Sequence, residues 1–384
     1  MKKKIWIFAG ESSGDMYGAQ LGEELRSIAA ARREEVELSG MGGKAMIAAG
    51  IPVKVDSTEL GVMGVVEVGK LIFKFIAIYF KLVSAARKER PDAVVLIDYP
   101  GFNLMYALAM YCMGIKVIWY IAPHLWIWGK WRLPVLAKIC RKVLVIFPFE
   151  VEVFAKTELP TLFTGHPLID ILQPIKDPSI KRDPDLLLLL PGSRKGEIQR
   201  MLPHMLKSVL GLSQRQPQLK YRISAPREKI ASQCRGIIEK FRRKNPDLPE
   251  ITISVGDNHY CQQLAGTGLA ACGTVTVECA IMGLPLVVGY QLSFMNYLAA
   301  LPYVKPFRGF ITMTNIIDNS PVCPEFIQYD FKAENIIPAV ESILPGTPGR
   351  EHTLQGMQRV VDMLSEGNNG RSAVRRAAEE IYAV

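Results

Sequence analysis

The chain lacks any Cys-x-x-Cys pair. Its seven cysteines (Cys112, Cys140, Cys234, Cys261, Cys272, Cys279 and Cys323) are scattered, odd in number and set mostly among apolar residues. That usage argues against a disulfide framework or a zinc site and points to reduced thiols in a cytosolic protein. Histidine is scarce, with five in the chain and no cluster among them, so no metal and no other cofactor is expected. An Arg-rich run interleaved with aromatics is missing too, and nucleic acid is not an expected partner. No apolar run reaches the roughly 20 residues that a membrane span needs without lysine breaking it. The first residues, Met1 to Gly10, bring only a short apolar run before Glu11 and Asp15, which makes them a first strand rather than a targeting segment.

What the chain does have is apolar mass and positive charge. At 384 residues, 49% of them hydrophobic, it is too long for one core and suits two domains. The 46 basic against 37 acidic residues leave a net charge of +9, which favours phosphorylated small molecules or an anionic lipid surface. Strands alternate with helices throughout, the pattern of an α/β fold with doubly wound parallel sheets. A polar, proline-bearing stretch, Gln173 to Asp185, reads as the linker, giving domains over 1–172 and 173–384, with a return of the last helix to the first.

The strand-to-helix junctions carry the chemistry. Ile5 to Ala9 runs into Gly10-Glu11-Ser12-Ser13-Gly14-Asp15 and then a helix through Leu21, Leu25 and Ile28. The glycines there are not spaced Gly-x-Gly-x-x-Gly, and two carboxylates would repel a pyrophosphate, so a dinucleotide oxidoreductase is disfavoured. Glu11 and Asp15 suit a hydroxyl-rich sugar or acceptor; the alternative is that Ser13 and Asp15 cap their own helix. Ala93 to Ile97 is a buried strand ending in Asp98. A carboxylate at the carboxyl tip of a central strand makes Asp98 a candidate general base, or else a helix cap. After Lys116 to Ile121 come His124, a loop histidine, and Trp126, Trp128 and Trp131, either a wall for an acyl or sugar group or an anchor at an interface. Between these lies a glycine-rich apolar loop at 61–66, then Lys70, Lys74, Lys81 and Lys88 on one stripe of an otherwise apolar helix. Two readings fit: a helix resting on an anionic membrane, or a core helix with a solvated lysine edge.

In the second half, Leu186 to Leu190 is a buried strand closed by Pro191 and Gly192, with an amphipathic helix from Glu197. Gly192, Ser193 and Arg194 therefore stand where strand carboxyl end meets helix amino end, a place for an anion, and Arg194 adds a fork for two phosphate oxygens. Leu269 to Cys272 leads into Gly273 and Thr274, which offer amides and a hydroxyl to phosphate, or a simple helix cap. Glu278, one turn on, suits two ribose hydroxyls. Asn315, Glu325 and Gln328 are polar groups in apolar loops and candidate nucleotide contacts. Phe331 to Val384 reads as helices broken near Pro345-Gly346 and Gly367 to Gly370.

In this order, Gly10-Glu-Ser-Ser-Gly-Asp15, Gly40-Met-Gly-Gly43, Gly64-Val-Val-Glu-Val68, Asp98-Tyr-Pro-Gly-Phe-Asn103, Pro123 to Trp128, Phe147-Pro-Phe-Glu150, Gly165-His-Pro167, Leu190-Pro-Gly-Ser-Arg194, Gly273-Thr-Val-Thr-Val-Glu278 and Glu325-Phe-Ile-Gln328 resemble the motifs of the lipid-A-disaccharide synthase family. The resemblance implies a GT-B glycosyltransferase of two Rossmann-like domains facing a cleft. It implies inverting transfer from UDP-2,3-diacylglucosamine to 2,3-diacylglucosamine 1-phosphate (lipid X) in lipopolysaccharide biosynthesis, on the cytoplasmic face of the inner membrane. Asp98 would be the base, with Glu11 and Asp15 near it. Ser193 and Arg194 would hold the diphosphate, Glu278 the ribose, and Asn315 and Gln328 further parts of the nucleotide. A homodimer is a further implication. The chain departs from the family in having Cys272 where serine is usual and Met313-Thr314-Asn315 where Leu-Pro-Asn is usual. The rival readings are another GT-B enzyme, such as a UDP-GlcNAc epimerase, and a non-catalytic nucleotide-sugar sensor.

Overall fold

The computed structural model describes residues 2–57, 68–123, 125, 130–292, 309–366 and 370–384. The loop at 61–66, His124, Trp126 and Trp128 lie outside the described residues. The chain divides into two compact units, one of Met1–Asp170 with Leu364–Val384, the other of Ile171–Met363. The division falls just before the polar stretch read as a linker, and part of that stretch is already strand.

The first unit is a parallel sheet of seven strands: β1 (Lys2–Ala9), β2 (Glu35–Gly42), β3 (Val53–Asp56), β4 (Ala93–Ile97), β5 (Lys116–Tyr120), β6 (Lys142–Val145) and β7 (Thr161–Phe163). Their spatial order is β3-β2-β1-β4-β5-β6-β7. Every residue of β4 is buried, as a strand covered on both faces requires. Two strands, β2 and β3, were not expected from the sequence. Charges alternate along the start of β2, and its glycines mask the rest of the pattern. Gly40 is required where it stands, because a Cβ there would lie 1.9 Å from the Ile7 carbonyl oxygen of β1.

The second unit holds β8 (Asp183–Leu190), β9 (Lys220–Ala225), β10 (Ile251–Val255), β11 (Ala265–Ala271), β12 (Leu286–Tyr290) and β13 (Glu325–Ile327), all parallel, in the order β10-β9-β8-β11-β12-β13. The five leucines of β8 are buried and form its centre. β11 is built of small residues because Leu284 and Leu286 close over it: a Cβ on Gly268 would come within 2.5 Å of Leu286. Asp183, at the far end of β8 from its carboxyl tip, pairs with Lys220 at 3.0 Å.

Strand order reverses between β1 and β4 in one sheet and between β8 and β11 in the other. Those are the points where open α/β sheets leave a crevice beyond the strand tips.

The last helix, Ala373–Tyr382, belongs to the first unit and packs on the helix Ser12–Ala31. Arg375 pairs with Glu24 at 3.0 Å, Tyr382 donates to Glu34 at 2.9 Å, and Lys3 donates to the Tyr382 carbonyl at 2.6 Å. At the start of that helix, Asp170 accepts from the Val374 amide at 3.2 Å.

The helix Val68–Glu89 has two apolar faces. Ile78, Leu82 and Ala86 are buried, and Phe75 and Tyr79 meet Phe102 of the helix Pro100–Cys112 at ring separations of 6.4 and 6.3 Å. The opposite face leaves Phe73 and Phe80 exposed at 74% and 63%, with Ile76 beside them. The neighbouring helix adds exposed Met105 and Leu108. Among the described residues no helix is long and apolar enough to cross a membrane.

Candidate active site

In the first unit, β1 and β4 run side by side with Ala9 in register with Ile97. Gly10 and Glu11 therefore leave the sheet beside Asp98 and Tyr99. Asp98 and Tyr99 both adopt left-handed backbone, with φ of 46° and 48°. Aspartate tolerates this backbone but a bulky tyrosine directly after it pays for it, and strain of this kind gathers at functional sites. It is held in place from three sides. The Asp98 amide donates to the Ile121 carbonyl at 3.2 Å, and buried Asn103 donates its side-chain amide to the carbonyls of Ile97 and Asp98 at 3.2 and 2.7 Å. The Tyr99 ring then covers Gly10, leaving no room there for a Cβ. Burial and the nearby Glu11 charge together raise the Tyr99 hydroxyl above its ordinary pKa.

The N-cap of the following helix is Tyr99, which makes no side-chain bond of its own there. Glu11 is the N-cap of the helix Ser12–Ala31, with its carboxylate exposed and unused for capping. Asp15 has a different place from either expected one. It is buried, and its oxygens accept from the amides of Gly43, Ala45 and Met46 at 2.6, 2.8 and 3.1 Å. It caps the short helix Lys44–Ala48, not its own, and fixes the Gly42-Gly43 turn beside β1. Asp15 thus holds the segment after β2 against the start of the helix Ser12–Ala31.

In the second unit, the loops after β8 and β11 enclose a cavity of about 340 Å³. Gly192, Ser193, Arg194, Gly273, Thr274 and Glu278 all line it, so the sequence-chosen residues of both loops meet. Gly192 takes φ of +108°, a conformation glycine alone adopts freely, and turns the chain from strand to helix. Thr274 is the N-cap of the helix Val275–Met282 by backbone only, leaving its hydroxyl outside that role. Glu278 accepts from Gln262 at 3.3 Å and lies 3.7 Å from the His259 ring nitrogen.

The cavity also has walls that no motif in the sequence marks as ligand contacts: Glu197, Ser224, Pro226, Asn258 and Tyr290. Ser224 donates to Asn258 across the mouth of β9. A rule was available, because Ser224 and Tyr290 stand at the carboxyl ends of strands flanking the reversal. Burial, then the Glu197 charge, raises the Tyr290 hydroxyl.

Asn315 and Gln328 are not among the cavity's lining residues. Asn315 is fully buried and exchanges two hydrogen bonds with Cys323, at 2.9 and 2.8 Å, while also reaching Glu325. Glu325 in turn accepts from the amides of Ile311 and Thr312. Gln328 accepts from the Leu292 amide at 2.8 Å. These polar groups close loops on themselves, which is why they look out of place among apolar neighbours. The two departures from the family pattern are absorbed in the same way. The Cys272 thiol donates to the Ile311 carbonyl at 3.2 Å, and Thr314 donates to Cys323. Burial pushes the Cys272 thiol up to about 12, so it stays protonated and unreactive. Among the described residues no three His, Cys, Asp or Glu side chains group as metal ligands.

The model of the lipid-A-disaccharide synthetase family matches residues 5–377. A lipid-A-disaccharide synthase of Koribacter versatilis is 31% identical over 388 residues, covering 99% of this chain and 98% of that protein. Among solved structures, UDP-GlcNAc 2-epimerase from Neisseria meningitidis bound to UDP-GlcNAc superposes with a TM-score of 0.64 at 12% identity, over all of both chains. CalG4, the calicheamicin glycosyltransferase, does so with a TM-score of 0.60 at 15% identity, over 100% of this chain and 98% of its own. Both likenesses are of fold, whereas the sequence match is of family. The chain belongs to the lipid-A-disaccharide synthase family, glycosyltransferases of lipid A biosynthesis built on the GT-B fold.

Proposed function

We propose that the protein transfers the diacylglucosaminyl group of UDP-2,3-diacylglucosamine to the 6-hydroxyl of 2,3-diacylglucosamine 1-phosphate, releasing UDP and leaving a β-1′,6 linkage. The observation that carries this is the cavity in the second unit, where an arginine, two glycine turns and a carboxylate converge at one strand reversal. Arg194 and the amides of Ser193, Gly273 and Thr274 suit a diphosphate, and Glu278 suits vicinal ribose hydroxyls. Structures of the same fold that hold UDP-GlcNAc support a nucleotide-sugar donor.

An α-linked donor giving a β product requires one in-line displacement. The acceptor 6-oxygen bonds to the anomeric carbon as the bond to the β-phosphate oxygen breaks. Asp98 takes the hydroxyl proton, a role that typically contributes about 10²–10⁴-fold. The electron pair of the broken bond leaves on UDP, where Arg194 and the fixed amides meet the growing charge. No step in this reading calls for a metal. Glu11, beside Asp98, is assigned to the acceptor hydroxyls.

Both substrates carry acyl chains, and the exposed Phe73, Ile76 and Phe80 among lysines suit an anionic bilayer surface. We assign the protein to the periphery of the inner membrane on its cytoplasmic side. Incubation of purified protein with both substrates, followed by mass spectrometry, should reveal a disaccharide 1-phosphate and UDP. Release of free sugar or an epimerised donor with no disaccharide would overturn the assignment.

A further inference from the structure

The Glu197 carboxylate takes up one of the amides assigned above to the donor's diphosphate. Its Oε2 accepts from the Ser193 amide at 3.1 Å. It also fills the concave side of the Gly192 turn so closely that a Cβ on Gly192 would lie 2.1 Å from it. The same side chain lines the cavity with Arg194 and raises the Tyr290 hydroxyl by its charge. Glu197 lies in the first turn of the helix Lys195–Arg215, whose dipole favours a negative group there. A phosphate oxygen at the Ser193 amide would have to share that donor with an anion already bound to it. Glu197 and a diphosphate at this turn therefore exclude one another electrostatically.

We infer that Glu197 is an internal stand-in for a phosphate oxygen: it satisfies the Ser193 amide while the cavity is empty, yields it to a nucleoside diphosphate, and reclaims it as product leaves. This rests on the nucleotide-binding reading of the cavity. The device keeps the turn formed between turnovers and weakens the hold on UDP. Glu197 is then a positioning residue whose charge opposes binding.

The experiment is titration of the purified wild type, E197Q and E197A with UDP and with inorganic pyrophosphate, at low and at high salt. Both variants should bind UDP about fivefold more tightly than wild type, the scale of a partly exposed charge interaction. UDP dissociation should slow in step, and the thermal stability of E197Q, which keeps an acceptor for the Ser193 amide, should hardly change. The gain should shrink at high salt, which screens charge but leaves a purely structural clamp unaffected. Unchanged or weaker binding by both variants overturns the inference, as does weaker binding by E197A alone, which would make Glu197 a clamp. If pyrophosphate binds more tightly to the variants while UDP binds to none of the three proteins, the stand-in role holds and the nucleotide reading falls. No binding of either probe overturns both.

Discussion

The ring of Tyr99 occupies the space that any side chain at position 10 would need: a Cβ built on Gly10 lies 2.2 Å from Tyr99 Cγ. This one contact ties the tip of β1 to the strained turn after β4, and so ties the Glu11 segment to Asp98.

Gly10→Ala should therefore disturb the turn rather than the strand, since the Gly10 backbone is not among those with positive φ. Displacing a ring by one methyl costs about 1–3 kcal/mol. Activity should fall by about tenfold or more, because the groups flanking Asp98 lose their placement. Chemical denaturation and initial rates, measured side by side, check both.

Asp15 accepts from three amides on a segment thirty positions away in the chain. Asp15→Ala should cost about 2–4 kcal/mol by stranding those donors, and Asp15→Asn, which keeps one acceptor oxygen, less. Urea unfolding of the two variants gives the comparison. If Asp15→Ala is as stable as wild type, the capping role is wrong.

Arg194 is exposed at the cavity wall, so its replacement should not affect folding. Arg194→Ala should weaken UDP binding by about tenfold to a hundredfold, the worth of charge-assisted hydrogen bonds. Arg194→Lys should recover only part, because an ammonium lacks the planar fork. Calorimetric titration with UDP measures each.

His166 is buried against the Phe147 ring, 5.2 Å between centroids, and its Nδ1 accepts from the Leu168 amide. Burial pushes its pKa from 6.5 down to about 3. The folded state then refuses a proton that the unfolded state takes up below pH 6.5. Stability from this group is whole above pH 6.5 and falls with pH between 6.5 and about 3, at up to about 1.4 kcal/mol per pH unit. His166→Asn should flatten that part of the stability–pH curve, as thermal melts across the range would reveal.

The sequence was legible where one physical demand dominated. Ala93–Ile97 and Leu186–Leu190 could be read because a strand buried on both faces tolerates little but apolar residues. That Arg194, Gly273 and Glu278 share one cavity could be anticipated, because all three follow strand carboxyl tips beside an order reversal. The loop contacts of Asp15, Asn315 and Gln328 could not be read, because a polar side chain that completes a distant loop looks, in sequence, like one aimed at a ligand. Glu197 escaped notice for the converse reason: its spacing from Arg194 reads as ordinary helix capping, and only the folded turn brings it back over Ser193. Strand β2 was hidden by glycines, of which Gly40 is there for a close backbone approach to β1, and β3 by its brevity of four residues.

The proposed mechanism makes Asp98 the base and leaves the nucleotide to the cavity of the second unit alone. Asp98→Asn is the cleanest probe, since asparagine accepts the left-handed backbone at this position and differs only in losing its basicity. Turnover with both lipid substrates and UDP affinity should be measured on the same preparation. Turnover should fall by about a hundredfold or more with UDP affinity unchanged. Full turnover in Asp98→Asn would contradict it and move the base elsewhere, with Glu11 next in line.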